Sequence, residues 1–475
     1  MKEKKKFDLK KIKFEYKIFI CALTILVALA CAVLIRRSIL FSNPKAITLT
    51  DQQTEYLTQV IADKNFERNQ TIHNLPYNIK QADLEIFAES AILINCDTGD
   101  ILYEKNADEE IPPASMTKLF LMYTVFQKLS EGKASLDDIV PLPPECWASH
   151  MPPHSSLMFL GKNQTVTLRE LLTGLAVCSG NDASHAIAYY LFGGIDSFLE
   201  EVNHQIKLCG LEKTRIVEPS GYSENNVTTA REMAKFARIY ISRYPESLKQ
   251  FHSVKKFAYP SILNIAPEDR NKPSQIFNGS FPDSIWTTIE QENTNKCLKT
   301  LEGCDGLKTG YIDESGYNLS LTCIREGQRY LSVTMKGPGD NIFEGDKYRV
   351  QDGTTLQNYA FQSFVETRDI SKKEVSVTVP VLGGKEDYVN LFVPFDMKTC
   401  IPLNLFNDKE ITIKLYNAPA LFGQIKAGEQ YGKAALIIDG YIIEEAPLIA
   451  DRDIKKSFIF KTFLDRIIYQ TIRKK

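Results

Sequence analysis

The chain has 475 residues, with 57 basic and 59 acidic side chains and a formal net charge of −2. That balance argues against a nucleic-acid partner, which calls for a surplus of basic residues. A hydrophobic content of 44% supports real cores, and the length allows two or three domains.

Residues 1–17 carry eight lysines against three acids, and Ile18 to Ile35 follows as 18 uncharged residues. This run is long for a signal-peptide core and just long enough to span a bilayer. The lysine excess keeps the N-terminus cytoplasmic, so the remainder of the chain is expected to be exported. Cleavage after export is left open, since Ala28-Leu-Ala-Cys31 is a poor lipoprotein-type box. Residues 1–40 are therefore read as a basic tail plus membrane segment (apolar run 18–35). Residues 41–84, polar with Gln, Asn and Lys, read as a tether. Of the ten cysteines, Cys21 and Cys31 fall in the apolar run. Cys297 and Cys304 either bridge or stay as buried thiols, which exported chains also retain.

Ser90 to Glu109 reads as a hairpin, and Ile111-Pro112-Pro113-Ala114 stops it because proline cannot continue a ladder. Ser115-Met-Thr-Lys-Leu-Phe-Leu-Met-Tyr-Thr-Val-Phe126 is then predicted as an apolar helix. Residues i and i+3 share a helix face, so the Ser115 hydroxyl and the Lys118 amine can meet. The positive end of the helix dipole favours a serine alkoxide and the oxyanion that follows it. The same field, together with loss of water, lowers the lysine pKa and frees an amine to act as base. Alone, S-x-x-K reads as a capping serine followed by a solvated lysine. Composition supplies roughly two chance matches in a chain this long, and three others occur here, at Ser42, Ser130 and Ser253. Ser42 and Ser253 sit in polar stretches and Ser130 at a Glu-Gly turn, whereas Ser115 opens an apolar helix behind a double proline. His150 and His154 have the spacing of a zinc-binding helix. Pro152 and Pro153 exclude that helix and the motif's Glu is missing, so no metal and no cofactor is expected.

Ser179-Gly180-Asn181 lies between two apolar helical stretches, and Gly180 is expected to supply the bend. A hydroxyl and an amide two residues apart on a loop can face one cleft, although Ser and Asn also cap helices readily. A second S-x-N match occurs at Ser223. From His252 to Asn295, Pro260, Pro267, Pro273 and Pro282 predict an irregular loop, either overhanging a cleft or lying outside it. Lys308-Thr309-Gly310 follows in Asp305-Gly-Leu-Lys-Thr-Gly-Tyr311. Behind it come two β-rich runs, Tyr317 to Ile324 and Tyr330 to Met335, split by Arg-Glu-Gly-Gln, which is a hairpin signal. A Gly-containing strand lets a substrate backbone lie alongside, and Lys308 and Thr309 can hold a carboxylate.

Ser371 to Leu448 changes character. Val375 to Val381 and Glu410 to Tyr416 alternate, with Gly-Gly, Asn-Asp and Ala-Gly turns between runs, which predicts a small all-β domain. At the far end, Phe460, Phe463, Leu464, Ile467 and Ile468 recur at helical spacing. Ile454 to Lys475 carries seven basic residues against one acid. This suits either a helix lying on anionic lipid or one docked on the protein; Lys461 interrupts the apolar arc.

The ordered set Ser115-Met-Thr-Lys118, Ser179-Gly-Asn181 and Lys308-Thr-Gly310 resembles the penicillin-binding enzymes and serine β-lactamases. Ser155-Ser-Leu-Met-Phe, Ser179-Gly-Asn-Asp-Ala and Asp305-Gly-Leu-Lys-Thr-Gly narrow the resemblance to the D-alanyl-D-alanine carboxypeptidases, the low-molecular-mass penicillin-binding proteins. It covers roughly residues 85 to 450 and implies a mixed α/β fold. A transpeptidase-like catalytic domain, an antiparallel sheet flanked by a helical cluster, would span 85–368. A β-sandwich would span 369–449 and a basic amphipathic helix 450–475. The resemblance makes Ser115 the acylated nucleophile and Lys118 its base. Ser179 and Lys308 would assist proton transfer, and Asn181, Thr309, Gly310 and Tyr311 would line the substrate. Backbone N–H groups of Ser115 and Tyr311 would form the oxyanion hole. The implied substrate is the D-Ala-D-Ala end of peptidoglycan stem peptides, with β-lactams as covalent inhibitors and a membrane as a further partner. Ile312 departs from the family, where a Thr is expected, and Arg349 loosely matches a family arginine near the site.

Other readings of the same residues are a D,D-endopeptidase on peptide crosslinks, a β-lactamase, or a non-catalytic wall-binding scaffold. No clear acidic water-activating motif stands between Asn181 and Lys308, which disfavours the β-lactamase. A pure binder has no use for a desolvated lysine beside a serine.

Overall fold

The computed structural model describes residues 9–42, 49–75, 80–366, 375–403, 411–438 and 440–473. Residues 1–8 of the basic N-terminal tail and the Asn-Asp turn at 407–408 lie outside the described residues. The chain divides into two compact units, one of residues 66–367 with 399–408 and one of residues 1–65, 368–398 and 409–475.

The larger unit is built on a six-stranded sheet. Its strands are β1 (His73–Asn74), β2 (Ser90–Asn95), β3 (Asp100–Lys105), β6 (Cys304–Ile312), β7 (Gly316–Arg325) and β8 (Gln328–Gly337). Two further strands, β4 (Lys256–Tyr259) and β5 (Ile289–Glu292), form a separate hairpin. The order across the sheet is β1-β3-β2-β8-β7-β6, antiparallel except for β1 beside β3. The predicted hairpins at Ser90 and after Lys308 are both present, and β6 ends as an edge strand.

Alternation along the strands sends side chains to two cores. Ile92, Ile94, Leu331 and Val333 join the larger one with helices α3 (Lys118–Ser130), α4 (Leu168–Val177), α5 (Asn181–Phe192), α6 (Ile195–Leu208) and α7 (Ala230–Arg243). Ala91, Leu93 and Tyr330 face the other way, against Leu356 and Ala360 of α8 (Ile342–Ser363). Local chemistry fixes the helix starts. Thr167 and Glu170 make a reciprocal capping box on α4, and Asn341 accepts from the amides of Phe343 and Glu344 at α8.

The stretch from His252 to Asn295 is less irregular than its prolines suggest. Its ends pair as the β4–β5 hairpin, while Phe277, Phe281 and Ile285 pack on Leu157 and Phe159. The insertion therefore braces the segment that runs from Ala148 to Gly161.

The smaller unit begins with a continuous helix α1 (Leu9–Ser42), which extends beyond the predicted apolar run at both ends. The segment read as a tether contains a second helix, α2 (Asp51–Asn69). Its polar composition hid it: Leu57 is its one buried position among the described residues and packs with Phe392 and Ile449. The remaining strands are β9 (Ser376–Leu382), β10 (Tyr388–Phe392), β11 (Ile411–Asn417), β12 (Leu421–Phe422), β13 (Gln430–Ile438) and β14 (Tyr441–Ala450). Hydrogen bonding joins them in the order β11-β13-β14-β10-β9-β12, which gives the all-β domain expected for this part of the chain. The terminal helix α9 (Ile459–Arg473) splits its apolar residues. Leu464 and Ile468 are buried, whereas Phe460 and Phe463 are exposed. Lys461, the misfit in the apolar arc, donates to Gly384 O and pairs with Asp387.

Candidate active site

Pro113 ends the approach, and Ala114–Thr117 forms a single tight turn before α3 begins at Lys118. Ser115 is half-buried at the mouth of this turn and Lys118 is fully buried beneath it. The Lys118 Nζ lies 2.9 Å from Ser115 Oγ, 2.8 Å from Asn181 Oδ1 and 2.5 Å from Ser220 O. Those partners limit how a neutral Lys118 amine can hydrogen-bond. An ammonium donates three hydrogen bonds, but a neutral amine has two protons and one lone pair. Asn181 Oδ1 and Ser220 O can only accept, so they take the two protons. The lone pair is left facing the Ser115 hydroxyl.

Burial brings the Lys118 amine down to about 7, against the opposing fields of Glu218 and Asp182. Burial alone would raise the Glu218 carboxyl. Hydrogen bonds from His185 and Ser220, with the field of Lys118, instead bring it to about 2. Glu218 also shapes the site, accepting the amides of Ser220 (2.7 Å) and Tyr222 (2.8 Å). Gly221, at φ +82°, then lies so close to the Ser115 turn that a Cβ would stand 1.9 Å from Ala114 O.

The second motif sits between α4 and α5, with one difference from expectation. Ser179, not Gly180, carries the left-handed φ of +60°, whereas Gly180 has φ −59°. Gly180 is needed for space: a Cβ there would meet Asp182 Oδ1 at 2.7 Å and Met158 at 3.0 Å. Asn181 is the first residue of α5 rather than a loop residue. The strained Ser179 holds its Oγ buried with no hydrogen-bond partner among the described residues. Asp182 anchors the opposite wall, its carboxylate accepting the amides of Met158, Phe159, Leu160 and Ala183. Burial raises its pKa against these four donors.

Lys308, Thr309, Gly310 and Tyr311 lie on edge strand β6. Burial pushes the Lys308 amine well below the lysine range, and Lys118 and then Arg349 add to the effect. Lys308 thus lies within the electrostatic reach of Lys118. Its Nζ donates to Thr309 O at 3.1 Å, and Thr309 Oγ1 donates to Thr294 at 2.8 Å. Gly310 is the point of closest approach: a Cβ would be 2.5 Å from Pro113 O and 3.2 Å from Ser115 N. The strand backbone can press on the Ser115 turn only because position 310 lacks a side chain. The Tyr311 ring is exposed, packed 4.4 Å from the Tyr317 ring and hydrogen-bonded to Asp313. Arg349 reaches this end through Tyr317, 5.6 Å from its ring, and pairs with Asp346. Behind β6, the fully buried His252 contacts Leu307 O at 3.3 Å and Tyr240 Oη at 3.0 Å.

All three motifs therefore converge. The decoys do not: Ser130 and Ser253 bond back to the carbonyls of Gln127 and Lys249 on the surface. Sequence reasoning missed Ser220, Gly221, Glu218 and Asp182. Glu218-Pro-Ser-Gly221 carries a legible turn signal, but its contact with Ala114 exists only in three dimensions. The ten cysteines are free thiols, and Cys304 has Cys323 rather than Cys297 as its strand partner.

Known proteins are similar to this chain in sequence and in fold. D-alanyl-D-alanine carboxypeptidase DacF of Bacillus subtilis is 29% identical over 400 residues, covering 82% of this chain and 90% of its own. D-alanyl-D-alanine carboxypeptidase DacA of Escherichia coli K12 is 28% identical over 386 residues, covering 81% and 87%. The structure of penicillin binding protein 5 from Haemophilus influenzae matches with a TM-score of 0.64 at 28% identity, over 79% of this chain and 99% of that one. The fold, with a serine on a buried lysine beside a lysine-bearing edge strand, defines a serine acyl-transfer enzyme of the penicillin-recognising class. Residues 77–339, more than half of the chain, match the family described as D-alanyl-D-alanine carboxypeptidase, and residues 365–456 match the penicillin-binding protein 5 C-terminal domain. The chain belongs to the D-alanyl-D-alanine carboxypeptidases, the low-molecular-mass penicillin-binding proteins, and is a serine-type carboxypeptidase.

Proposed function

We propose that Ser115 attacks the D-Ala-D-Ala peptide bond of peptidoglycan stem pentapeptides, with Lys118 as the general base. The observation that carries this reading is the lone pair of Lys118, turned toward Ser115 by two partners that only accept. The Ser115 proton passes to Nζ as Oγ bonds to the carbonyl carbon, giving a tetrahedral oxyanion. Backbone N–H groups of Ser115 and Tyr311 receive that charge, and losing one such donor typically costs about a hundred- to a thousand-fold in rate. Ser179, whose buried hydroxyl has no partner among the described residues, relays a proton to the departing D-alanine amine. The C–N bond breaks, D-alanine leaves, and water then hydrolyses the ester on Ser115. Lys308 and Thr309 hold the substrate's terminal carboxylate, and Asn181 its backbone. A β-lactam enters by the same attack and stays as an ester.

The apolar N-terminal helix anchors the chain in the membrane. The lysine excess before it supports a cytoplasmic N-terminus and an extracytoplasmic catalytic unit. The exposed Phe460 and Phe463 of α9 suit contact with lipid beside that anchor. The test is D-alanine release from a stem pentapeptide by the full chain in detergent, beside Ser115→Ala. Release that vanishes in the variant supports the carboxypeptidase. No release, with Ser115 still acylated by penicillin, favours crosslink cleavage instead.

A further inference from the structure

We propose that the N-terminal helix is a permanent part of the mature protein. Its outer end is built into the C-terminal sheet and α9, and it is not removed on export. The helix changes surroundings along its length. Leu23, Ile25, Leu26 and Val27 are exposed, as suits lipid contact. Beyond the apolar run one face becomes covered: Leu40 is 1% exposed and packs with Leu382, Ala420 and Ile468, with Val33 and Tyr469 alongside, while Ile39 and Phe41 on the other face stay exposed.

The joint is ionic as well as apolar. Arg36, the first charge after the apolar run, donates from Nε to Asp465 Oδ1 at 2.5 Å and from Nη2 to Asp465 Oδ2 at 3.0 Å. Its Nη2 also reaches Asp387 Oδ1 at 2.8 Å. The Asp465 side chain is 0% exposed, so a carboxylate is held out of water with Arg36 as its cationic partner and Gly383 N as a further donor at 2.7 Å. A buried carboxylate stripped of its cation is strongly unfavourable. The Tyr388 hydroxyl adds contacts to the carbonyls of Ile39 and Leu40 at 3.1 and 3.3 Å. These bonds hold residues 36 to 40 as the last turns of one unbroken helix. A processing protease needs an extended chain at the outer membrane face, and the small residues around Ala28 and Ala30 lie inside the apolar run, within that helix. Helix α9 is thus the receptor for α1, leaving its other face, with Phe460 and Phe463, free.

The full chain with one epitope at each end, expressed and exported in a bacterial host, tests this. Retention requires one full-length membrane band carrying both tags; a shorter band with the C-terminal tag alone overturns the proposal. Arg36→Ala, Asp465→Asn and the double variant then test the joint by thermal unfolding in detergent. Each single change should lower the midpoint by at least about 4 °C, and the double by no more than the larger single effect. Fully additive shifts would show that the two residues do not act as a joint. Should Asp465→Asn fail to fold, the pair Arg36→Asp with Asp465→Arg supplies the test, since recovery of the membrane band over Arg36→Asp alone requires direct contact. Neither readout needs catalysis, so failure here is distinct from failure of the peptidase reading.

Discussion

On the proposed mechanism, with Lys118 as the base for Ser115, the rate of acylation should follow the titration of the Lys118 amine. A solvated lysine at its usual 10.5 is neutral in roughly one molecule in 3,000 at pH 7. Buried among Ser115, Asn181 and Ser220, this one falls to about 7, so about half of the molecules carry the reactive amine. The difference is on the order of 5 kcal/mol at about 1.4 kcal/mol per unit, and it corresponds to a thousand-fold or greater gain in the base-competent form. Because the neutral form is the active one, acylation rises with pH, reaches half its plateau near 7, and falls about tenfold per unit below pH 6. The assay is the second-order rate of labelling by a fluorescent penicillin from pH 5 to 9 at constant ionic strength, with Lys118→Ala as the inactive control. A rate that stays level down to pH 5.5, or one that climbs only above pH 9, would refute the lysine-base argument.

Ser179→Ala removes a hydroxyl with no internal partner among the described residues, so stability should stay within about 0.5 kcal/mol in a urea melt. D-alanine release should nevertheless fall by roughly a hundredfold or more, which separates a chemical role from a structural one. Gly310→Ala forces a Cβ to 2.5 Å from Pro113 O; penicillin labelling should drop by about a hundredfold or more while the protein stays folded. Asp182→Asn leaves one oxygen to accept four buried amides, and chemical denaturation should register a loss of about 2–4 kcal/mol. Gly221→Ala meets Ala114 O at 1.9 Å at a left-handed φ. It should lower the thermal midpoint and the acylation rate together, because the loop cannot withdraw without moving the nucleophile turn.

Much of the chemistry was legible because it is written in short range. Ser115 and Lys118 meet because a single tight turn brings residues three apart onto one face, the hairpin after Lys308 shows in its alternation, and the anchor shows as an uncharged run. What failed did so for identifiable reasons. Gly180 looked like the bend because glycine usually takes left-handed backbone; here the sterics of Asp182 and Met158 claim the glycine, and Ser179 takes the strain. Helix α2 went unread because a polar segment with one buried position, Leu57, leaves almost no periodic signal.

Residue types and spacings by themselves were enough to pair Ser115 with Lys118, and to place the strand that carries Lys308 and the long apolar helix. Each depends on residues within a few positions of one another. Tertiary structure alone decided that Ser220 and Asn181 take the amine's protons and leave its lone pair on Ser115. It likewise placed Gly310 and Gly221 against the nucleophile turn and closed Arg36 onto Asp465. Those contacts join segments tens to hundreds of residues apart, and only the packed core fixes their separations to a fraction of an ångström.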